Sequence, residues 1–193
     1  MNLDIQLSKR IRSLRKRRAL SLEQLAERSG VSRSMISLIE RAETSATAAV
    51  LNKLADALGV SLASLFAEYS DTSPPSPLVV RSEQQIWQDP DSGYIRRHLS
   101  PQGYGSPIEL AEVSFPAGAR VVFDNAMRSI VTYQQVWVLD GEMEITQEGQ
   151  TWQLHAGDCL AMTLGQQIRF HNPSNSSARY LLALTATAPL PGK

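Results

Sequence analysis

Two hydrophobic periodicities divide this chain of 193 residues into a helical first third and a strand-rich remainder. Up to about residue 66, apolar side chains recur every three or four positions, which is the spacing of amphipathic helices. From residue 78 onward apolar and polar side chains alternate, as in strands with one buried face. The Pro/Ser-rich segment between them, SDTSPPSP, predicts a semi-rigid spacer. The pattern therefore predicts two domains, 1–69 and 78–193, joined by a linker at 70–77.

The segment SLEQLAERSGVSRSMISLIE, residues 21–40, predicts two short helices joined by a tight turn. Ser21 and Gln24 have the spacing of a capping box, which starts the first helix. Gly30 supplies a left-handed turn residue, and Ser32 caps the second helix. The apolar residues of the second helix are expected to face inward: Met35, Ile36 and Ile39. Two helices in this arrangement are the geometry that places one of them in the DNA major groove.

The polar face of the second helix carries the candidate DNA-binding residues. Short basic and hydroxyl side chains suit a groove lined by base-edge acceptors and phosphates. The predicted base-reading residues are Arg33, Ser34 and Ser37, and the predicted phosphate-binding residues are Gln24, Ser32 and Arg41. An ordinary helical hairpin with a solvated polar face is the alternative. Further helices predicted at Thr47–Leu58 and Ser61–Phe66 favour a five-helix unit over 5–66 and hence DNA binding.

Charge is distributed unevenly along a chain whose net charge is +0. Residues 1–69 carry 11 Lys+Arg against 7 Asp+Glu, and the remainder carries 8 against 12. Seven basic residues lie within 9–18, enough to supply a salt-dependent attraction to phosphates. Arg10 and Arg15 in this run are equally compatible with structural roles. The chain thus combines a basic head with an acidic body.

The stretch IRSLRKRRALSLEQLAERSGVSRSMISLIERAETS, followed by LNKLADALGVSLASLF, resembles the lambda-repressor-type helix-turn-helix of the XRE family of bacterial regulators. The resemblance covers residues 4–68 and implies a sequence-specific transcriptional regulator, more often a repressor. Ala42 stands where Gly commonly follows the Glu-Arg pair, and Ala46 where Pro is usual, so a less sharp turn is expected there. Leu38 occupies a DNA-facing position that is often polar.

The second half of the chain predicts a series of short strands. Asp140-Gly141 and Glu148-Gly149 are hairpin turn signals within it. The predicted strands are Leu78–Arg81, Gly93–Leu99, Ile108–Phe115, Arg120–Phe123, Ile130–Leu139, Glu142–Thr146, Thr151–Leu154, Cys159–Met162, Gln167–Phe170 and Arg179–Ala186. Many short strands at this spacing indicate a sandwich or barrel.

Two stretches of this half resemble cupins, which are small jelly-roll barrels. In GDCLAMTLGQQIRFHN, residues Gly157, Gly165 and Asn172 have the spacing of the second cupin motif, and Gly118 and Gly141 bracket the first. The resemblance covers residues 108–186, with outer strands expected from 78–107. The predicted fold class is α+β with two domains, a five-helix lambda-repressor-like bundle and an all-β cupin.

The positions that hold a metal in cupin enzymes are substituted in this chain. By the resemblance they correspond to Asp124, Ala126, Gln134 and Ile168. One carboxylate, one amide and one isoleucine do not form a hard or borderline metal site. His171 lies three residues beyond Ile168 and is expected on the opposite strand face. The barrel is therefore predicted to hold no metal or other cofactor and to perform no catalysis, with Cys159 expected as a small core residue.

A barrel without a metal can still bind a small molecule. If the substituted positions point inward, Val136, Val138 and Phe170 also face the interior. Arg120, Tyr133 and Arg128 are predicted near the rim, where they could hold a carboxylate or another anion. The predicted effector site consists of Arg120, Asp124, Tyr133, Gln134 and Ile168. Trp137, on the outer strand face, is the candidate for a dimer interface.

We expect a homodimer that pairs through its barrels and binds double-stranded DNA at a palindromic operator. A small-molecule effector would then change the spacing of the DNA-binding heads through the linker. The single cysteine, the absence of a run of 18 apolar residues and the absence of a signal-peptide pattern predict a cytoplasmic protein. Two alternatives remain, a regulator whose barrel only dimerises and a DNA-tethered cupin enzyme such as a dioxygenase or isomerase.

Overall fold

A computed structural model describes residues 3–66, 76–104, 106–124 and 131–187 of the chain. Its first part consists of five helices, in agreement with the predicted helical unit. Their bounds are α1 Leu3–Arg17, α2 Leu22–Ser29, α3 Arg33–Glu40, α4 Ala48–Ala57 and α5 Leu62–Phe66. The predicted linker falls largely in 67–75, outside the described residues, so the domain boundaries stay predictions.

The helical domain contains the helix cap that the sequence predicts and a buried apolar core. The Ser21 hydroxyl accepts the Gln24 N–H at 3.1 Å, while the Gln24 side-chain oxygen accepts the Ser21 N–H at 2.8 Å, confirming the capping box. The core includes five fully buried side chains, Ile11, Leu25, Ile36, Leu51 and Leu54. The expectation for Met35 is wrong, because its side chain is 37% exposed at the border between the buried and outer faces of α3.

Helix α3 ends in a Schellman motif with an alanine at the left-handed position. The Ala42 N–H donates to the Ile39 carbonyl and the Glu43 N–H to the Leu38 carbonyl, both at 3.0 Å. Ala42 has φ 55°, a conformation that favours glycine. The substitution of Gly by Ala therefore leaves the turn closed instead of less sharp, at a cost in backbone strain.

The second part of the chain is a two-sheet jelly-roll barrel. Its strands are β1 Ile86–Gln88, β2 Ile95–His98, β3 Ile108–Phe115, β4 Arg120–Phe123, β5 Val131–Asp140, β6 Glu142–Gln147, β7 Gln150–His155, β8 Cys159–Leu164, β9 Ile168–His171 and β10 Ala178–Thr187. One sheet has the order β1-β2-β3-β10-β5-β8 and the other β4-β9-β6-β7. Strands β1 and β2 extend the larger sheet at its edge, as expected for 78–107.

The first predicted strand is wrong in position. Leu78 and Val80 are exposed, and residues Arg81–Glu83 form a short 3-10 helix instead. The strand β1 that does form is only three residues long, with Trp87 as its single buried side chain. Such a short strand has no alternation long enough to be read from the sequence.

Of the two predicted hairpin turns, Glu148-Gly149 is confirmed, whereas Asp140-Gly141 is wrong as a hairpin, because the strands it joins lie in different sheets. Asp140 ends β5 and Glu142 begins β6, with Gly141 at φ 78° between them. A Cβ on Gly141 would lie 2.9 Å from the Cα of Ala178, so only glycine fits this turn. Glu148 and Gly149 both have positive φ values, as a two-residue type I′ turn between β6 and β7 requires.

Alternation along the strands separates the barrel interior from its outer surface. Gln134, Val136 and Val138 of β5 are buried, as are Ile168 and Phe170 of β9, which confirms the inward direction expected for them. The expectation for Cys159 is wrong. It lies exposed on the outer face of β8, because it falls out of phase with the buried residues Met162 and Leu164.

Helices α4 and α5 pack directly against the barrel. The buried carboxylate of Asp89, just after β1, accepts the N–H of Ala48, the first residue of α4, at 2.7 Å. Asn52 of α4 donates from its side chain to the Asp124 carbonyl at 3.1 Å. The Ser61 hydroxyl, preceding α5, donates to the Glu109 carboxylate of β3 at 2.7 Å. Three hydrogen bonds therefore tie the helical domain to the barrel.

An aromatic cluster completes this interface. Phe66 of α5 lies with its ring centre 5.7 Å from Trp87 and 4.6 Å from His98. His98 is buried, and within the described residues its Nε2 has no hydrogen-bond partner. Burial, together with the positive charge of Arg96, holds the pKa of His98 well below its usual value. The imidazole is therefore neutral in the folded protein.

Replacing Ala42 by Gly is expected to raise the free energy of unfolding by about 0.5–1 kcal/mol. The left-handed conformation costs an alanine about 1–2 kcal/mol, and the greater freedom of glycine in the unfolded chain offsets part of the gain. Chemical denaturation measures the change. Ala26→Gly within α2 is the control and should lower stability by about 1 kcal/mol. Equal destabilisation by both variants would contradict the strained turn.

Stability is expected to fall as the pH drops below about 6.5. The unfolded state binds a proton on His98 there while the folded state does not, so each pH unit costs up to about 1.4 kcal/mol until the folded-state pKa is reached. Denaturation at a series of pH values tests this, with His98→Phe expected to remove that part of the acid loss. His155→Phe, at an exposed position, should retain it. An unchanged pH slope in His98→Phe would refute the assignment.

Candidate functional site

The structure places the predicted DNA-binding residues on and around α3. Ser32 caps the helix, its hydroxyl accepting the Met35 N–H at 3.2 Å. Arg33, Ser34 and Arg41 are exposed and Ser37 is half-buried. Gln24 is exposed in the first turn of α2, with its side-chain oxygen engaged in the capping box. Five of the six residues thus belong to α3 or its caps.

Two arginines of this surface are paired with carboxylates of the same chain. Arg41 donates two hydrogen bonds to Glu43, at 2.7 and 2.8 Å, and a further one to the Ser37 hydroxyl. These bonds raise the pKa of Arg41 and lower that of Glu43. Arg33 lies 3.6 Å from Glu23. Exposed pairs of this kind add little stability, so a phosphate or base edge can replace the carboxylate at small cost.

A more buried ion pair fixes the position of α3. Arg15 of α1 donates two hydrogen bonds to Glu40 at 2.6 and 2.7 Å, with side-chain exposures of 12% and 7%. The hydrogen bonds to Glu40 raise the pKa of Arg15 despite its burial. Arg10 donates to the Ser64 carbonyl at 3.0 Å. Both arginines therefore contribute to the structure of the domain, and the basic residues of 9–18 left exposed are Lys9, Arg12, Lys16, Arg17 and Arg18.

A cavity lies in the barrel and is bordered by the helical domain. Its volume is about 50 Å³. One water needs about 10–15 Å³, so the cavity has room for more than one. From the helical domain, Asn52, Ser61 and Leu62 contribute to its lining. The barrel contributes Tyr94, Arg96, Glu109, Val113, Phe123, Thr132, Gln134, Leu164, Ile168, Phe170, Tyr180, Leu182 and Leu184. The lining is mostly apolar with a few polar groups, the usual composition of a small-molecule site.

Among the charged residues that line the cavity, Arg96 is the one whose charge is least compensated by neighbouring groups. It is 4% exposed, and its Nε has no hydrogen-bond partner in the part of the chain that the structure describes. Tyr94 and Tyr180 lie nearby, and burial raises the pKa of both hydroxyls well above the usual value, an effect that the positive charge of Arg96 partly offsets. The tyrosines are therefore neutral hydrogen-bond donors beside a buried cation.

The predicted effector residues divide into two groups. Gln134 and Ile168 line the cavity. Arg120, Asp124 and Tyr133 do not: all three are exposed, and Tyr133 lies on the outer face of β5. Asp124 nevertheless lies at the interface, since its carbonyl accepts from Asn52. The predicted rim residues Arg128 and Ala126 lie outside the described residues.

Sequence reasoning missed Arg96, Tyr94 and Glu109. Tyr94 and Arg96 belong to the 78–107 region, where the cupin motifs give no ligand positions. Arg96 and Arg97 are adjacent in β2, and pairing with β3 decides which of them faces the interior. The alternation in the predicted strand Gly93–Leu99 was the available signal, but it does not distinguish the two arginines.

The described residues contain no group of three or more His, Cys, Asp or Glu side chains that could hold a metal ion. His171 is half-buried on the opposite face of β9 from Ile168, with its Nδ1 3.6 Å from Glu144. A metal-free barrel stays a prediction. None of the described helices is long and apolar enough to cross a membrane.

Two family models match the chain, a helix-turn-helix over residues 11–65 and a cupin domain over residues 131–184. The first spans α2 and α3 and the second covers β5 to β10 apart from the last residues. The chain therefore combines an XRE-type helix-turn-helix domain with a C-terminal cupin domain, the organisation of a transcriptional regulator.

Known transcriptional regulators align with this chain over most of their length. The HTH-type transcriptional regulator PuuR of Escherichia coli (strain K12) is 27% identical over 187 residues, which are 93% of this chain and 94% of that protein. The regulator SutR of the same organism is 29% identical over 157 residues, 81% of this chain and 82% of SutR. A crystal structure of an HTH_3 family transcriptional regulator from Vibrio cholerae has a TM-score of 0.76 at 25% identity, covering 95% of this chain and 96% of that one.

Proposed function

We propose that this regulator is a repressor that binds a palindromic operator as a homodimer and senses a small-molecule effector in its metal-free barrel. One observation carries the sensing part, namely that the same cavity is lined by the barrel and by Asn52, Ser61 and Leu62 of the DNA-binding domain. A ligand there would touch both domains. The binding free energy of the ligand can then depend on the position of the DNA-binding domain relative to the barrel.

The surface of α3 supports sequence-specific binding. Arg33, Ser34 and Ser37 would read base edges, because they present a guanidinium and two hydroxyls on the helix that enters the major groove. Gln24, Ser32 and Arg41 would hold phosphates. While the Gln24 oxygen caps α2, its NH2 group can still donate to a phosphate. The exposed basic residues of α1 add a sequence-independent attraction.

The outer face of the larger sheet supports dimerisation. Tyr133 and Trp137 of β5 are 51% and 47% exposed there. A shallow, mostly apolar depression on this face is lined by Gln135, Trp137, Cys159, Leu181 and Ala183. Such a patch on a soluble domain is typical of an interface, and a second copy of the chain would bury it by twofold symmetry. Two paired barrels would present two recognition helices to half-sites about one DNA turn apart.

The cavity lining argues against a DNA-tethered cupin enzyme. Among the described lining residues Glu109 is the one carboxylate, and it accepts a hydrogen bond from Ser61. At the cupin ligand positions the cavity presents an amide and an isoleucine, Gln134 and Ile168. We therefore propose a binding function for the barrel. A barrel that only dimerises is the second candidate, favoured by the small free volume of the cavity.

Selection of random duplex DNA on the purified protein tests operator binding. We expect an inverted repeat whose affinity falls steeply with salt. Arg33→Ala should weaken binding by about 1–3 kcal/mol and relax the preference at one base position, because the arginine reads a base edge. Arg41→Ala should weaken all sequences alike and reduce the salt slope by about one.

Arg81→Ala, which removes a cation from the exposed 3-10 helix before β1, is the control and should leave both quantities unchanged. A single half-site without a repeat would contradict the dimeric operator. Binding that is indifferent to Arg33→Ala would contradict base reading by α3.

Trp137→Glu is expected to convert the dimer into a monomer, because it places a charge in the apolar centre of the proposed interface. Sedimentation velocity measures the state, and affinity for the inverted repeat should fall with it. Tyr104→Glu replaces an aromatic residue that is also exposed but belongs to the loop between β2 and β3, and it should stay dimeric. A Trp137→Glu protein that sediments as the wild type would refute this interface.

A further inference from the structure

We propose that the effector is a small organic carboxylate, anchored in the cavity by Arg96. The inference rests on the proposed function, in which the cavity holds an effector, and assigns the chemical class of that effector. It starts from the guanidinium of Arg96, which is 4% exposed and lines the cavity. Its Nε is fully buried and has no hydrogen-bond partner among the described residues.

An uncompensated buried cation is unfavourable in a protein interior. Arginine keeps its positive charge in proteins, so it cannot become neutral as a buried lysine or histidine can. Burial without a partner therefore costs free energy that an anion in the cavity would recover. Carboxylates fit best, because their two oxygens match the fork of the guanidinium.

The described neighbours of Arg96 do not compensate its positive charge, which leaves that role to a ligand. Its cross-strand neighbours on β1 and β3 are Trp87 and Val113, which offer no carboxylate. Glu109, the carboxylate of the lining, accepts from Ser61 and forms no ion pair with Arg96. His98, two residues along the strand, is held neutral by burial and by the charge of Arg96.

Two further donors face the same space. Tyr94 and Tyr180 are buried cavity-lining residues whose neutral hydroxyls can donate hydrogen bonds. A guanidinium and two phenolic hydroxyls together form a donor set that requires an acceptor. An ammonium or other cation would meet the charge of Arg96 at this end of the cavity and be repelled.

The remaining lining sets the size and polarity of the ligand. Beyond the polar groups the wall is formed by apolar side chains such as Leu164, Ile168, Leu182 and Leu184. Arg96 is the one cation among the described lining residues, so it matches a monoanion and leaves the second charge of an inorganic phosphate or sulfate unpaired. The free space of about 50 Å³ admits a molecule of a few heavy atoms. A short-chain carboxylate meets all these conditions.

Thermal unfolding of the full chain with formate, acetate and butyrate tests the proposal. The matched probes are methylammonium, ethylammonium and butylammonium as chlorides, and sodium chloride sets the ionic strength. At least one carboxylate should raise the Tm by about 3 °C or more above chloride, because a ligand that binds only the folded state stabilises it by mass action. The ammonium compounds should not. Equal shifts for both series, or no carboxylate shift beyond chloride, would overturn the proposal.

Arg96→Met provides the decisive variant. Without ligand its Tm should equal or exceed that of the wild type, because an uncompensated charge is removed, and its carboxylate shift should vanish. Arg97→Met, at the adjacent position facing away from the cavity, is the matched control and should keep the shift. Arg96→Lys retains a charge but not the fork and should bind carboxylate about tenfold more weakly. A shift that persists in Arg96→Met, or an affinity unchanged in Arg96→Lys, would overturn the assignment.

Titration of the selected operator with the same probes separates this proposal from the proposed function. Carboxylates that bind at Arg96 without changing operator affinity would support the anion site and refute effector sensing. Ammonium compounds that bind and change operator affinity would support sensing and refute the carboxylate class.

Discussion

The arrangement of the two domains depends on one buried carboxylate, that of Asp89. It accepts the N–H of Ala48 at 2.7 Å and is held by the backbone and hydroxyl of Ser92. The first N–H groups of a helix lack partners within the helix and carry partial positive charge, so a carboxylate there is doubly favoured. Without α4, Asp89 would lose the helix terminus that compensates its charge. This contact fixes α4 on the barrel and thereby brings Asn52 and Ser61 to the cavity.

The helical half could be predicted closely because its signals are local. The signals are the capping box, the hydroxyl caps and apolar residues that recur every three or four positions. Each involves residues within one or two helical turns. Met35 was predicted wrongly because it lies at the edge of the apolar stripe, where spacing alone does not decide burial. Ala42 occupies a position where glycine is usual, but only the backbone shows that the alanine accepts the left-handed conformation.

The barrel interior could be predicted only in part. Gln134 and Ile168 follow from motif positions, and alternation extends the inward face to Val136 and Phe170. The polar groups of the cavity lie on or beside several different strands. Which of Arg96 and Arg97 points inward depends on long-range pairing between β2 and β3. That pairing leaves no local trace in the sequence. The direct contact between the domains likewise has no local signal, because Ala48 and Asp89 lie 41 residues apart in the chain.

If the interface transmits changes between the cavity and the DNA-binding surface, its hydrogen bonds must respond to DNA. Amide hydrogen exchange at the start of α4, with Ala48 as the reporter, measures this in the full chain with and without the selected operator duplex. The account predicts a severalfold change in the exchange of Ala48 on operator binding, although this amide faces the barrel through Asp89. Identical exchange rates in the two states would contradict coupling through this interface.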